Sequence, residues 1–342
     1  MKPWLIIFTL LLFVLVGSLA LDSCKHERFV RTPINFVNPP GFPAPTYNFS
    51  ANPLTEEGFA LGKKLFFDGK LSSTGVVYCG SCHQPVAAFT TFEHDRSHGV
   101  NGNHTLRNAP GLFNLAWYPY FNQDGSATSL AAVYEAHITN PKEMGETVNN
   151  VLAKLKQDAS YKAMFRSAFG DESITADRMY KALDQFVISL VSSDSKYDKV
   201  KQGQTSFTAQ EQNGYSIFQS KCANCHYGIL FTDFSFRNIG LEVDPGLNDY
   251  GRMRVTGNAA DSLKFRVPSL RNLDFTSYYF HDGRINFPRN VLKFYETGVN
   301  LSPTLDPLLT NGIQLTQSEE DDVVEFLRTL SDSTFLNNPR FR

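Results

Sequence analysis

The sequence predicts a mostly α-helical chain of two related domains with long wrapping loops. Three observations predict it. Apolar stripes at helical spacing recur behind helix-start signals, alternating strand patterns are scarce, and a C-x-x-C-H motif occurs twice, each time after a helix of similar pattern. A length of 342 residues suits two domains, each with its own hydrophobic core. Apolar residues make up 42%, charged residues 19%, and the net charge is −2. That excludes a disordered chain and a multi-span membrane protein, and argues against a nucleic-acid binder, which needs a basic excess. Aromatic residues reach 13%, with 29 Phe, which suits walls around large flat apolar groups and equally suits ordinary core packing.

Taken in order, residues 1–24 read as an export signal. Lys2 precedes an apolar run from Leu5 to Leu21, and Gly17, Ser18 and Ala20 form a small-residue cleavage region. Two cleavage readings compete. A cut after Ala20 leaves Cys24 as a free thiol. Leu21-Asp22-Ser23-Cys24 instead resembles a bacterial lipobox, which makes Cys24 the lipidated mature N-terminus, accounts for the odd cysteine, and anchors the protein to a membrane without spanning it. Residues 25–53 carry Pro33, Pro39, Pro40, Pro43, Pro45 and Pro53, so this segment is extended, as a tether or wrapped over the surface.

Thr55 with Glu56 and Glu57 starts a helix that carries Phe59, Leu61, Leu65 and Phe66. Val148, Val151, Leu152 and Leu155 share one helical stripe, as do Met179, Leu183, Phe186, Val187 and Leu190. Thr208 with Glu211, and Thr316 with Glu319, form capping boxes before Tyr215 and Phe218 and before Val323, Phe326, Leu327 and Leu330. Such stripes are core signals and say nothing of function. Loops 95–126 and 232–290 are long and rich in Gly, Asn and Pro, as segments wrapped around a ligand are. Gly58-Phe59-Ala60-Leu61 before the first motif matches Gly214-Tyr215-Ser216-Ile217 before the second. This weak repeat places a boundary in the polar stretch Ser192–Ser206 and gives domains at 54–205 and 206–342.

The motifs are Cys79-Gly80-Ser81-Cys82-His83 and Cys222-Ala223-Asn224-Cys225-His226. Two thiols at this spacing can each add to a vinyl group of one haem, and the adjoining histidine then reaches the iron as proximal ligand. Structural zinc would need four ligands in pairs close in sequence, and a thioredoxin-like C-x-x-C would need a βαβ context that is absent. Two such motifs in an exported chain point to two covalently bound haem c groups. Of the eight histidines, His26 lies in the tether, and His94, His98, His104, His137 and His281 remain as candidates for an iron's sixth position.

These residues resemble the bacterial dihaem cytochrome c peroxidases and the related MauG enzymes. The landmarks are Leu61-Gly62-Lys63-Lys64-Leu65-Phe66-Phe67-Asp68, Arg107-Asn108-Ala109-Pro110, Asp124-Gly125 and Asn140-Pro141-Lys142-Glu143-Met144-Gly145. Further along they are Asp194-Ser195-Lys196-Tyr197-Asp198, Val267-Pro268-Ser269-Leu270-Arg271-Asn272 and Tyr279-Phe280-His281-Asp282-Gly283. The resemblance implies two cytochrome c-like domains, with peroxide meeting the haem on His83 and the haem on His226 transferring electrons. It also implies that Glu143 is the distal acid, which moves a proton between the peroxide oxygens. On residue type and position alone, Glu143 reads as a carboxylate at a helix N-terminus.

The resemblance puts Tyr295 near the position of a Met ligand to the electron-transfer haem, where MauG-like members have Tyr. A phenolate there lowers the redox potential relative to Met. The residue-level alternative is a buried aromatic on a helix at 290–295, and Met253 is the next Met candidate. The resemblance likewise matches Asn108, Thr276 and Tyr278 to an interdomain calcium site, with Tyr278 standing where the family usually has Pro. Three departures stand out. The family's inter-haem Trp is Gln123, its distal-pocket Gln is Val133, and its distal Pro is His137. Gln123 cannot be oxidised as an indole can, so tunnelling or another aromatic such as Trp117 must serve. His137 adds a base, or an iron ligand, beside Glu143. The capping histidine of many peroxidases aligns with His98, and next with His104.

The expected function is an exported, lipid-anchored periplasmic peroxidase that reduces hydrogen peroxide with electrons from a small cytochrome c or cupredoxin. The alternatives are a MauG-like oxidase of a protein substrate, which Tyr295 favours and Gln123 opposes, and a non-enzymatic electron-transfer cytochrome in which His137 or His98 closes the peroxide site.

Overall fold

The computed structural model describes residues 30–342. The expected signal and Cys24 lie outside the described residues. Residues Thr32–Arg342 form one compact, mostly helical unit with only four two-residue strands among them.

Helix α1 (Glu56–Phe66) begins where Thr55 accepts a hydrogen bond from the Gly58 amide. After it come α2 (Cys79–Cys82), α3 (Leu130–Thr139), α4 (Val148–Gln157), α5 (Ala159–Phe169) and α6 (Ala176–Ile188). One hydrophobic core gathers Phe59, Leu61, Leu65 and Phe66 of α1 with Met179, Leu183, Phe186 and Val187 of α6, and takes in Val151 and Leu155 of α4. From Thr32 onward the proline-rich segment wraps over this core. Ile34 donates to the Leu54 carbonyl, Thr46 and Tyr47 both donate to the Ala116 carbonyl, and Phe42 is buried.

After α7 (Lys196–Lys201), α8 (Ala209–Lys221) and α11 (Gln317–Arg328) hold a second core of Phe218, Val323, Phe326 and Leu327 with Tyr197 and Phe231. Both capping boxes form as the sequence predicts, Thr208 with Glu211 and Thr316 with Glu319. Between α8 and α11 lie α9 (Met253–Thr256) and α10 (Pro288–Lys293). The long loops there pair into two short antiparallel ribbons, β1 (Phe236–Arg237) with β2 (Phe265–Arg266) and β3 (Tyr278–Tyr279) with β4 (Ile285–Asn286).

The two cores repeat one arrangement. A Cβ on Gly62 would lie 1.9 Å from the Ala182 carbonyl oxygen and 3.0 Å from the Phe186 Cβ; a Cβ on Gly214 would lie 1.9 Å from the Asp322 carbonyl oxygen and 2.9 Å from the Phe326 Cβ. Each glycine lets the helix that leads to a motif pack backbone to backbone on a later helix. The counterpart of Gly214 is therefore Gly62, one helical turn beyond the Gly58 that sequence matching selects. The polar stretch expected as a boundary is partly buried. Ser192, at 0% exposure, joins the two halves, because its backbone pairs with both ends of the Asn114 amide while its hydroxyl contacts Asn272 and Asp332.

Candidate functional site

Each C-x-x-C-H motif sits at the end of a packed helix or on a short turn of its own. Cys79 and Cys82 lie in α2, directly before His83, and the two thiols carry no disulfide. The Nδ1 of His83 lies 3.0 Å from the Phe89 carbonyl and 3.0 Å from the Pro110 carbonyl. Carbonyls only accept, so Nδ1 carries the proton and Nε2 keeps its lone pair for an iron. Burial pushes His83 down to about 4, so the ring is neutral, as a ligand must be. Burial also pushes the Cys79 thiol up to about 12.

The second motif follows α8. The Nδ1 of His226 lies 3.1 Å from the Phe231 carbonyl, the Pro268 backbone is a further partner, and burial lowers its pKa. Cys222, Cys225 and His226 open into a cavity of about 650 Å³ that is also lined by Tyr295, Leu292 and Leu327. That volume and apolar lining are of the size that encloses a cofactor. Arg266 also lines it, and its Nη1 is buried without a hydrogen-bond partner. An orphaned guanidinium nitrogen beside two free thiols and a neutral imidazole fits a haem, whose propionates are anionic acceptors. Tyr295 faces the thiols, and burial followed by the nearby Cys222 and Cys225 holds its phenol protonated well above the ordinary range. It lies not on a plain helix at 290–295 but in a π-helical turn, Phe294–Gly298, that continues α10.

Above the first motif, α3 ends at Asn140 and the chain turns back through Glu143, whose backbone carbonyl accepts from Val100 at 2.8 Å. Glu143 is thus in a turn and not in the first turn of a helix; α4 has its own cap at Thr147. Both carboxylate oxygens are held. The Asn140 side chain donates to Oε1 at 2.9 Å, and the Nδ1 of His137 hydrogen-bonds Oε2. His137 is 43% exposed by area yet hemmed in by atoms, as a side chain facing into a crevice is. Burial works against its charged form, but the hydrogen bond and charge of Glu143 outweigh that and raise its pKa. Both groups act electrostatically on His83, and Glu143 on Cys82, so they belong to the first motif's site.

The remaining candidates are placed as follows. His98 is exposed, with its ring 4.6 Å from that of His94 and 4.5 Å from that of His104. Asn108, Thr276 and Tyr278 all line the rim of the large cavity. The Thr276 hydroxyl lies 3.4 Å from the Tyr278 carbonyl, and the Asn108 amide donates to the Asp95 carbonyl at 2.9 Å. Among the described residues, no group of three or more His, Cys, Asp or Glu side chains is gathered to hold a bare metal ion. Gln123 also lines this cavity, where its side-chain amide donates to the Asn108 carbonyl at 3.2 Å and its backbone carbonyl accepts from the Arg266 backbone N–H at 2.7 Å. Trp117 does not line it and donates its indole N–H to the Pro43 carbonyl at 2.8 Å. Two site residues escaped the sequence reading. Asn140 sits in a quoted motif, but its hold on Glu143 is visible only in three dimensions, and Arg266 carries no sequence signal at all.

Residues 56–206 match the family model described as di-haem cytochrome c peroxidase. The chain is 36% identical over 320 residues to the methylamine utilization protein MauG of Methylorubrum extorquens, covering 92% of this chain and 88% of that protein. It is 36% identical over 230 residues to cytochrome c551 peroxidase of Nitrosomonas europaea, covering 65% of this chain and 68% of that one. A solved MauG-like protein associated with microbial copper homeostasis superposes with a TM-score of 0.83 at 30% identity, covering 90% of this chain and 99% of that chain.

Proposed function

The chain belongs to the di-haem cytochrome c peroxidase family, which implies two haem c groups, and from that premise we propose that it reduces hydrogen peroxide to water with electrons from a small cytochrome c or cupredoxin. In this reading Cys79, Cys82 and His83 hold the haem that meets peroxide, and Cys222, Cys225, His226 and Tyr295 hold the haem that receives electrons. The halves around them are two cytochrome c-like domains. The observation that carries the reading is the Glu143 carboxylate, held at both oxygens on the side of the first motif.

Bound there, the haem iron supplies the redox centre at which peroxide is reduced. The protein's own residues do the rest. Phe89 and Pro110 fix the His83 ring by accepting from Nδ1. Glu143 takes a proton from the inner peroxide oxygen and returns it to the outer one. Asn140 aims the carboxylate, and His137 shares its proton as a second base, its ring tied to that carboxylate through Nδ1. A calcium ion at Asn108, Thr276 and Tyr278 would tie the wall of the cavity at the second motif to the first half. Export and a lipid anchor at Cys24 complete the proposal. One observation favours a second reading, a MauG-like oxidase of a protein substrate: Tyr295 faces Cys222 and Cys225, where it would bind iron as a hard anionic ligand.

Stopped-flow peroxide reduction by Glu143→Gln tests the assignment. The expected result is about 10²–10⁴-fold slower turnover with both haems retained. Unchanged turnover would remove Glu143 from the mechanism. Oxidation of a protein partner without net peroxidase turnover would favour the second reading.

A further inference from the structure

One half-buried polar cluster lies beside the first motif and is unused by the mechanism above. Tyr134, on α3 one turn before His137, donates its hydroxyl to Oδ1 of Asp184 on α6 at 3.0 Å. Tyr47, from the wrapped proline-rich segment, donates to Oδ2 of the same carboxylate at 3.2 Å, and the Asn52 amide donates to the Tyr47 hydroxyl at 2.9 Å. Cys79, the first thiol that anchors the haem, is close enough to act electrostatically on the Tyr134 phenol.

We propose that Tyr134 and Asp184 form a proton-coupled redox pair that supplies an electron to the peroxide site. This inference deepens the peroxidase reading and rests on it. Peroxide is the oxidant: it accepts two electrons, takes two protons from solvent, and leaves as two waters. Tyr134 supplies one of the electrons, and the haem centre supplies the other. The phenolic proton moves along the existing hydrogen bond to Oδ1 of Asp184 and does not go to peroxide. Two electrons from the donor protein later restore the haem centre and Tyr134, and Asp184 returns the proton. Oxidised tyrosine is neutral only if its proton has somewhere to go, so the presence of an acceptor decides which aromatic can serve.

That criterion separates Tyr134 from its rivals. The Tyr180 ring lies 6.0 Å from the Tyr134 ring, but its hydroxyl is buried with no hydrogen-bond partner. Trp117 donates only to a carbonyl, which cannot take a proton. Tyr47 shares the Asp184 carboxylate and Tyr161 donates to Asp68 at 2.7 Å, but no group of either motif acts on either phenol. Asp184 also has the right basicity. Burial, which outweighs the two phenol hydrogen bonds, raises it to about 6, so it is a better proton acceptor than an ordinary carboxylate. The 3.0 Å contact lies within the range over which a proton moves directly. The inter-haem position holds Gln123, which has no redox chemistry, so an oxidisable side chain tied to the first site fills a need the fold otherwise leaves open.

The test is freeze-quench EPR of the two-haem protein after hydrogen peroxide, with and without ring-deuterated tyrosine. The expected result is a tyrosyl signal that narrows on deuteration, disappears in Tyr134→Phe, and persists in Tyr161→Phe and Tyr180→Phe. Asp184→Asn, which keeps the shape but cannot accept a proton, should cut the yield of the signal while leaving both haems bound. An unchanged signal in Tyr134→Phe, or peroxide consumed by the wild type with no tyrosyl signal, would overturn the pair and leave the peroxidase reading standing. A wild-type protein that does not consume peroxide would overturn both.

Discussion

The two haem cradles are built from the same parts, and what hangs over them differs. In the first, the rings of Phe66 and Phe186 lie 5.1 Å apart and those of Phe66 and Phe89 5.9 Å apart; in the second, Phe218 and Phe326 lie 5.1 Å apart and Phe218 and Phe231 5.7 Å apart. Phe89 and Phe231 both adopt a left-handed backbone, with φ of 60° and 53°, and both present a carbonyl to the proximal histidine. Pro110 and Pro268 supply the other backbone partner, and Asn114 and Asn272, four residues later, both take φ of 59°. Facing these matched floors are unmatched roofs. The first has Glu143 held by Asn140 and His137; the second has Tyr295 on a π-turn. In the proposed reading the floor binds a haem and the roof decides its work, so that a duplicated fold divides one reaction between two copies.

Emptying one cradle tests the likeness of the two floors most drastically. Cys79→Ala with Cys82→Ala, and Cys222→Ala with Cys225→Ala, should each yield protein with one covalent haem, read by pyridine haemochrome assay. Two haems in either variant would sink the floor assignment. Next, Phe186→Ala and Phe326→Ala remove the ring at the same point of each floor. Each should cost about 3–5 kcal/mol in denaturant unfolding, and a large disparity would mean that the likeness is only geometric.

Ser192→Ala tests the joint between the two halves. Asn114 uses only the Ser192 backbone, whereas the Asn272 amide donates to the Ser192 hydroxyl at 3.0 Å, and that hydroxyl donates to Asp332 at 3.0 Å. The loss should be about 1–3 kcal/mol and should loosen the second half alone, which hydrogen exchange of α11 against α6 would report.

The smallest effect concerns pH. Glu143 raises the pKa of His137, so the pair's contribution to stability is present below the ordinary imidazole range and fades as pH rises through the folded-state value. Unfolding midpoints should therefore separate wild type from His137→Ala more at about pH 6 than at about pH 9. Equal separation at both would mean that the pair carries no charge.

The floors were largely legible in the sequence, and the roofs were legible only in part. Thr55, Thr208 and Thr316 announce their helices because capping is a local matter. The two motifs announce the thiols and histidines for the same reason. The repeat was matched one turn out of register because Gly58 and Gly62 lie on the same helix, and only the contact with Ala182 distinguishes them. The hold of Asn140 on Glu143 and the link from Tyr134 to Asp184 arise where distant turns and helices meet, and no spacing encodes that. The π-turn that carries Tyr295 is not legible, because one extra residue in a turn leaves no mark on an apolar pattern.

That extra residue matters for how this chain can change. The five residues Phe294–Gly298 are wound wider than the α-helix before them, so the turn carries one more residue than it needs to keep climbing. A single-residue deletion there would let the helix tighten and continue. Each residue of an α-helix turns the next by about 100°, so the deletion would swing Tyr295 away from Cys222 and Cys225 and bring a neighbouring side chain round instead. Through this one slack turn, the identity of the group over the second cradle can be exchanged by a shift in length, with the floor beneath left untouched.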